Sequence, residues 1–344
     1  MSREKIHILF VADTHLGFDL PFRPRVARRR RGHDFFANFE RALEPAFAGE
    51  VDLVVHGGDL FYRSRVPEAL VEMAMAPLVK VADLGIPVYI VPGNHERSWI
   101  PLNLWSIHPN LFIFDEPKTY LYEIRGVTLA ISGFPFTRKI HDEFGDLVVQ
   151  TGYQSVQSDV RILCMHQTVE GSQVGPSDYT FRNGPDVIRG ADIPDVFCVV
   201  LSGHIHRSQI LIRDLKNRAL KAPVLYPGSV ERTSFAERKE GKRFALLDVS
   251  PDGSSRGRLI NVQFIPLPAR PMVTLILMTK ERSEEEVFSS LKERFKELEA
   301  DAIVRIQVVG STSEEIAQVF TAENLRRIAP SSMNVSVTYP RSPG

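Results

Sequence analysis

The first ninety residues alternate between short apolar runs of strand length and segments with helical periodicity. Helical spacing occurs at residues 34–47 and 68–84, and the strand-sized runs occupy residues 6–12, 51–55 and 88–91. In the first helical segment the large apolar side chains fall on one stripe, made by Phe35, Phe36, Phe39, Leu43 and Phe47. This alternation predicts an α/β fold in which helices pack on a sheet.

Strand patterns dominate beyond Pro92, with predicted strands at residues 111–114, 121–124, 127–132, 160–165, 197–202 and 243–249. A proline-rich joint at residues 266–271 is typical of a linker. The pattern then changes to strand, helix, strand, helix and strand, at residues 273–278, 283–298, 303–309, 313–320 and 335–339. We therefore expect two domains, residues 1–268 and residues 269–344, the second being a small α/β unit.

Composition narrows the class of protein. The 344 residues carry 42 Lys plus Arg against 42 Asp plus Glu, so any nucleic-acid binding must come from local basic patches. No apolar run approaches the ~20 residues of a membrane span, and the early first strand leaves no room for a signal peptide. Two cysteines inside apolar runs exclude a disulfide framework. We expect a cytoplasmic protein with no membrane segment.

Five polar clusters each follow a predicted strand. They are Asp13-Thr14-His15, Gly57-Gly58-Asp59, Gly93-Asn94-His95, His166 and Gly203-His204-Ile205-His206. Alternate residues of an extended chain point the same way, so Asp13 and His15 can reach one spot, as can His204 and His206. Because open α/β sheets bind ligands at the carboxyl ends of their strands, we expect the clusters to converge there.

The clusters supply seven candidate metal ligands, namely Asp13, His15, Asp59, Asn94, His166, His204 and His206. A mixed set of nitrogen and oxygen donors suits manganese, iron or zinc better than calcium or magnesium. A catalytic site on a single zinc ion uses about three protein ligands, so this surplus indicates two ions that share Asp59. The other histidines are expected to be ordinary core or surface residues, and they are His7, His33, His56, His108 and His141.

The sequence around these clusters resembles that of a known family, the SbcD-type DNA double-strand-break repair nucleases of the calcineurin-like metallophosphoesterase superfamily. Four motifs carry the resemblance: Ala12-Asp13-Thr14-His15-Leu16-Gly17, Gly58-Asp59-Leu60-Phe61, Gly203-His204-Ile205-His206 and Pro227-Gly228-Ser229-Val230-Glu231-Arg232. The likeness spans nearly the whole chain. It implies a mixed α/β fold, a four-layer metallophosphoesterase β-sandwich flanked by helices, with a small α/β C-terminal capping domain.

The resemblance implies a DNA nuclease with two manganese ions and with endonuclease and 3'-5' exonuclease action. It assigns Asp13, His15, Asp59 and His206 to the first ion, and Asp59, Asn94, His166 and His204 to the second. His95 matches the family's catalytic histidine, which can donate a proton to the leaving oxygen.

Partners are also implied by the resemblance. They are DNA, a second copy in a homodimer, and an SMC-like ATPase of the SbcC type. The segment that docks this ATPase in relatives is expected to be absent here, because the sequence ends at Gly344, just past the last predicted strand.

Two positions depart from the family pattern. Tyr62 stands where close relatives have a second histidine, and its phenol can donate a hydrogen bond to the phosphate but carries no charge near neutral pH. Exonuclease action is therefore less strongly implied than metal binding or endonuclease action. Glu96 stands where the family more often has aspartate, and we expect it to orient or charge the His95 imidazole.

A basic cluster follows the first motif and consists of Arg23, Arg25, Arg28, Arg29, Arg30 and Arg31. Like charges repel one another unless a polyanion or an acidic face receives them. We predict that Arg28, Arg29, Arg30 and Arg31 bind the DNA backbone beside the metals, together with Tyr62, Arg63, Arg65 and Arg97. Pairing with local carboxylates in a solvated loop is the alternative.

The second helical segment is apolar on two stripes, one with Leu70, Ala74, Leu78 and Val81 and the other with Val71, Met75, Val79 and Ala82. Such a helix must be buried on two sides. Burial within the chain is one explanation, and a subunit interface shared with residues 99–105 is the other.

Two other functions fit the same residues. A two-metal centre hydrolyses many esters, so a phosphodiesterase or phosphatase that acts on a small phosphoester is one alternative. A mainly structural partner of the ATPase is the second.

Overall fold

The computed structural model describes residues 5–19, 30–96, 108–310 and 313–339. Its helices and strands, in chain order, are β1 (Ile6–Val11), α1 (Gly32–Phe47), β2 (Leu53–His56), α2 (Glu68–Asp83), β3 (Val88–Ile90), β4 (Leu111–Ile113), β5 (Lys118–Ile124), β6 (Val127–Gly133), α3 (Ile140–Gln150), β7 (Val160–Met165), β8 (Thr168–Val169), β9 (Gln173–Val174), β10 (Tyr179–Thr180), β11 (Val187–Ile188), β12 (Val199–Ser202), β13 (Gln209–Arg213), β14 (Ala219–Tyr226), β15 (Lys242–Ser250), β16 (Arg258–Leu267), β17 (Met272–Met278), α4 (Glu284–Lys296), β18 (Ile303–Val309), α5 (Glu314–Val319), α6 (Ala322–Ile328) and β19 (Asn334–Thr338). They belong to two compact units.

The first unit comprises the described parts of Met1–Phe18, Asp34–Arg232 and Glu240–Pro268. It contains two six-stranded sheets, with the strand orders β16-β15-β1-β2-β3-β4 and β13-β14-β12-β7-β6-β5. In the first sheet β1, β2, β3 and β4 are parallel, and in the second β6, β7, β12 and β14 are parallel. The parallel strands therefore bring several carboxyl ends to one edge of each sheet.

The two sheets pack face to face over a shared apolar core. Phe10 and Val55 of the first sheet lie in one cluster with Ile162 and Leu201 of the second, and all four are fully buried. Alternate side chains of each strand reach this core because successive residues point to opposite faces. The unit is therefore a β-sandwich.

Helices cover the outer faces of the sandwich. Phe39 of α1 contacts the ring of His56 at the end of β2, and α2 packs against β3 and β4. On the second sheet, Phe144 of α3 shares a buried cluster with Leu163 and Met165 of β7. The layers run helix, sheet, sheet, helix, which confirms the predicted α/β fold class.

The second unit comprises the described parts of Asp19–His33, Thr233–Lys239 and Ala269–Gly344. Its three parallel strands lie in the order β17-β18-β19, and a buried cluster joins them to α4, α5 and α6. Ser283 caps α4 in a capping box with Glu286. The short helix α6 does not occur in the sequence prediction, nor does α3 in the first unit.

Seven of the eight residues on the two apolar stripes of α2 are buried, with Leu70 and Val71 at 4% and 2% exposure, and Val79 is half-buried. The segment at residues 99–105, offered above as part of an interface, lies outside the described residues. Among the described residues, no helix is both long and apolar enough to cross a membrane.

Candidate metal centre

Polar residues follow the carboxyl ends of five strands, and the fold brings them together. Asp13 and His15 follow β1, Asp59 follows β2, and Asn94 and His95 follow β3. The second sheet contributes residues after β7 and β12, namely His166, His204 and His206. The convergence expected from the strand-end positions therefore occurs between the two sheets.

Four of these residues have a left-handed backbone that side chains rarely adopt. The φ angles are 51° at Asp13, 44° at His15, 52° at Asp59 and 79° at His204. Hydrogen bonds between the turns hold them: Asp13 N donates to Gly58 O at 2.9 Å, and His15 N donates to Asp59 O at 2.9 Å. Strained backbone of this kind persists where the surrounding structure over-determines it, and it is common at functional sites.

One group of potential ligands contains Asp13, His15 and His206, whose donor atoms lie within 4.8 Å of one another. The Nε2 atoms of His15 and His206 are 2.9 Å apart. Two imidazole nitrogens so close must share either a proton or a cation.

A second group surrounds the Asn94 side-chain oxygen. Its Oδ1 lies 3.2 Å from Nε2 of His166 and 2.9 Å from Nδ1 of His204. His166 is fully buried, and its Nδ1 lies 2.7 Å from the carbonyl oxygen of Gly57. In the neutral ring that contact makes Nδ1 the donor, which leaves Nε2 as the acceptor that a metal needs.

Asp59 lies between the two groups. Its Oδ2 is 3.5 Å from Nε2 of His166 and 4.0 Å from Nε2 of His15. The side chain is 3% exposed. Asp59 is thus within reach of both groups, and its bridging role stays a prediction.

Burial and mutual charge control protonation in this cluster. Burial raises the pKa of Asp13 and lowers the pKa of His15 well below its ordinary value. Burial, reinforced by the charge of His166, lowers the pKa of His204 to about 3. Burial acts against protonation of His166 as well, but the Asp59 carboxylate outweighs it and raises the pKa of His166 to about 9. His166 in turn holds the pKa of Asp59 below its ordinary value despite burial.

The donors fit a cation. Asp13 Oδ2 and His15 Nδ1 are buried without a hydrogen-bond partner among the described residues. A buried carboxylate oxygen left in this way is unfavourable unless positive charge compensates it. Neutral imidazoles and carboxylates are also the forms that ligate divalent metals.

His95 lies at the rim of the cluster, with a side chain that is 31% exposed. Its backbone N–H donates to Asp59 Oδ1 at 3.0 Å, and its Nδ1 contacts the carbonyl oxygen of Tyr62. Nε2 lies 3.8 Å from Asp59 Oδ2, so His95 forms a third group of potential ligands with His15 and Asp59. The Tyr62 ring packs beside it, with ring centroids 5.8 Å apart.

The expected contact between Glu96 and the His95 imidazole is wrong. The Glu96 carboxylate instead accepts three backbone N–H groups, from Asp59 at 2.9 Å, Phe61 at 2.7 Å and Gly93 at 2.6 Å. Burial, together with the negative charge of Asp59, raises the pKa of Glu96 to about 8. Glu96 thus joins the turn after β2 to the turn after β3. The only sequence signal was a carboxylate three residues after Gly93.

The predicted arginines fall into three classes. Arg63 and Arg65 are exposed, and the Arg63 guanidinium lies 5.9 Å from the centre of the Tyr62 ring. Arg30 lies 3.6 Å from Asp19, and Arg31 is buried at 9% exposure, so neither is a freely exposed cation here. The other members lie outside the described residues, and they are Arg23, Arg25, Arg28, Arg29 and Arg97.

Gly93→Ala tests whether Asp59 is a metal ligand. A Cβ at residue 93 would overlap Asp59 Oδ1 and the Asp59 backbone nitrogen. We expect Asp59 to be displaced and the affinity for manganese to fall by about tenfold or more, as measured by isothermal titration calorimetry. Gly145→Ala is the matched control, because a Cβ at this exposed position in α3 meets nothing within 4 Å.

Gly145→Ala should keep the wild-type affinity and gain about 0.5–1 kcal/mol of stability from its helical position. Wild-type manganese affinity in Gly93→Ala would contradict a ligand role for Asp59.

Three comparisons relate this arrangement to known proteins. Residues 6–208 match the family model of calcineurin-like phosphoesterases. The DNA double-strand break repair protein Mre11 of Methanosarcina mazei is 29% identical over 330 residues, which cover 92% of this chain and 47% of that protein. The protein of the same name from Methanococcus maripaludis is 25% identical over 260 residues, which cover 72% of this chain and 64% of that protein. This chain thus spans about half to two thirds of these curated relatives.

The solved structure of TT1561 from Thermus thermophilus is similar with a TM-score of 0.46 and 12% identity, over 75% of this chain and 99% of that chain. The family match covers more than half of the sequence and includes all seven candidate ligands. It implies a divalent-metal site, for which the buried aspartate and histidine groups are the candidates. The chain belongs to the calcineurin-like phosphoesterase family.

Proposed function

We propose that this chain is a metal-dependent DNA nuclease that hydrolyses phosphodiester bonds in double-strand-break repair. One observation carries the proposal: aspartate, asparagine and histidine donors surround the buried Asp59 carboxylate where the carboxyl ends of two sheets meet. The names of the relatives, DNA double-strand break repair proteins, support DNA as the substrate.

Two groups of donors that share Asp59 support two divalent cations. One cation would be held by Asp13, His15, Asp59 and His206, and the other by Asp59, Asn94, His166 and His204. The mixed nitrogen and oxygen donors favour manganese. Such a pair of cations polarises a phosphate and makes water a better nucleophile.

His95 is the proposed proton donor to the leaving oxygen. The contact between Nδ1 and the Tyr62 carbonyl orients the ring, and Nε2 faces the Asp59 side of the centre. In its imidazolium form the residue would therefore carry its transferable proton on Nε2. Its partial exposure gives a phosphodiester access, whereas Asp13, His15, Asp59 and His166 are buried.

Endonuclease cleavage is the main activity that we propose. Tyr62 stands where close relatives have a second histidine, so among the described residues at the metal centre His95 is the partly exposed imidazole outside the two donor groups that is available for proton transfer. Exonuclease removal of nucleotides from a 3' end is a separate activity, which the end-labelled duplex in the assay below detects.

Exposed cations at the rim would bind the DNA backbone. Among the described residues Arg63 and Arg65 have no ion pair, and Tyr62 lies between Arg63 and His95. Two unpaired guanidinium groups raise the local positive potential while the net charge of the chain stays at zero. Contacts from Arg28, Arg29, Arg30, Arg31 and Arg97 stay predictions.

The domain boundary and the partners are further proposals. Residues 269–344 would form the capping domain, beginning after the proline-rich joint. A homodimer and an SMC-like ATPase of the SbcC type follow from the family resemblance alone. Because most of the apolar stripe residues of α2 are buried, few large apolar side chains of this helix are exposed for a partner among the described residues, Met73 at 49% exposure being one.

The nuclease activity is tested with manganese and three substrates: circular single-stranded DNA, end-labelled duplex DNA and bis(p-nitrophenyl) phosphate. The circle reports endonuclease cleavage because it has no ends. We expect cleavage of the circle, and a loss of about 100-fold or more in His95→Ala because general acid catalysis is removed.

His7→Ala is the matched control, since His7 lies at the amino-terminal end of β1 and pairs with Asp248. It should cleave like the wild type. Hydrolysis of the small ester alone would favour the small-phosphoester alternative, and no hydrolysis of any substrate would favour the structural one.

The rim contacts are tested by the double variant Arg63→Ala, Arg65→Ala. DNA binding should weaken, and the slope of log K against log salt should become shallower by about one for each phosphate that is no longer bound. Hydrolysis of the small ester should persist.

The control pair Lys216→Ala, Lys221→Ala removes two exposed charges near the turn that joins β13 to β14, away from the metal-bearing loops. Equal loss on DNA and on the small ester in the arginine variant, or an equal change of slope in the lysine pair, would count against a backbone contact.

A further inference from the structure

His56 is the last residue of β2 and is fully buried. Leu53 and Val55 face the core between the sheets, so His56 is on the same side of the strand as Val54, toward the covering helices. There its ring meets the edge of Phe39 of α1, with centroids 6.0 Å apart. A polar ring buried between a sheet and a helix needs hydrogen-bond partners.

Both ring nitrogens of His56 have a partner. The backbone N–H of Gly58 donates to Nδ1 at 3.2 Å, so the proton of the neutral ring is on Nε2. Nε2 lies 3.1 Å from the hydroxyl oxygen of Thr14 and donates to it. The Thr14 hydroxyl then donates to the carbonyl oxygen of Leu60 at 3.0 Å. Burial lowers the pKa of His56 to about 3, which keeps the ring neutral and the direction of these bonds fixed.

These hydrogen bonds join two of the three turns that carry the candidate ligands of the first sheet, the turns after β1 and β2. Thr14 lies between Asp13 and His15, and Gly58 precedes Asp59. All three candidate ligands have positive φ angles, which must be maintained by contacts outside the turns themselves. The His56 imidazole supplies such a contact from the side of the first sheet that faces α1.

We propose that His56 is a positioning residue of the metal centre, whose imidazole, through Thr14 and Gly58, sets the spacing between Asp59 and the Asp13–His15 pair. The inference rests on the proposed function, because it takes these residues as metal ligands. Residues that orient metal ligands typically change metal affinity by about 10–100-fold when they are lost. A histidine that only fills the core would change the stability of the fold and leave metal affinity unchanged.

The test measures the dissociation constant for manganese by isothermal titration calorimetry, and the melting temperature of each metal-free protein, on the full chain. Thr14→Val removes the hydroxyl at nearly constant shape, and His56→Leu removes both ring contacts. We expect each to bind manganese about 10–100-fold more weakly than the wild type. Thr14→Ser keeps the hydroxyl and should restore most of the affinity.

Phe39→Leu is the control for loosened packing, since it removes the ring that contacts His56 but none of the hydrogen bonds. It should lower the melting temperature and keep the wild-type affinity.

Unchanged affinity in Thr14→Val and His56→Leu, with lower melting temperatures, would overturn the inference and leave the metal centre intact. Failure of both variants to fold while Phe39→Leu folds would assign the contacts to stability and overturn it equally. Absence of manganese binding by the wild type would overturn the metal centre itself, and the inference with it.

Discussion

A buried carboxylate is the constraint on which this structure depends. Asp59 is almost fully enclosed, and the Nε2 atoms of His15, His95 and His166 lie 4.0, 3.8 and 3.5 Å from its Oδ2. Removing a carboxylate from water is unfavourable unless positive charge or hydrogen bonds compensate. The imidazoles and the backbone N–H of His95 provide that compensation, and in the same positions His15 and His166 are candidate donors to a divalent cation. The same contacts to Asp59 therefore stabilise the carboxyl-end edge of the two sheets and bring the candidate metal ligands together.

The sandwich keeps these side chains in register. Parallel strands end together at the centre, and hydrogen bonds between the turns that follow them maintain backbone angles that would relax in an isolated turn. Glu96 adds three N–H contacts that join the turns after β2 and β3. A rigid scaffold of this type pre-organises ligands, so less reorganisation is needed when a metal and a phosphate bind.

The sequence was informative where polar residues interrupt an apolar pattern. Asp13, Asp59 and His166 follow strand-sized runs, and the topology of parallel strands is enough to predict that they meet. Glu96 and His56 could not be assigned in this way, because their partners are backbone N–H groups or a hydroxyl on other turns, and such groups have no sequence signature.

The remaining differences have physical causes as well. α3 and α6 are short, so their helical pattern covers only two or three turns and does not stand out between strands. Arg31 is a charged residue of the kind expected at the surface, but it is buried. Its burial depends on its neighbours in the folded structure, which a count of charged residues does not reveal.

The most direct measurement is anomalous diffraction from crystals soaked in manganese, with data collected on both sides of the manganese absorption edge. We expect two peaks, one among Asp13, His15 and His206 and the other among Asn94, His166 and His204, with Asp59 in contact with both. A single peak, or density that leaves Asp59 without a metal neighbour, would contradict it.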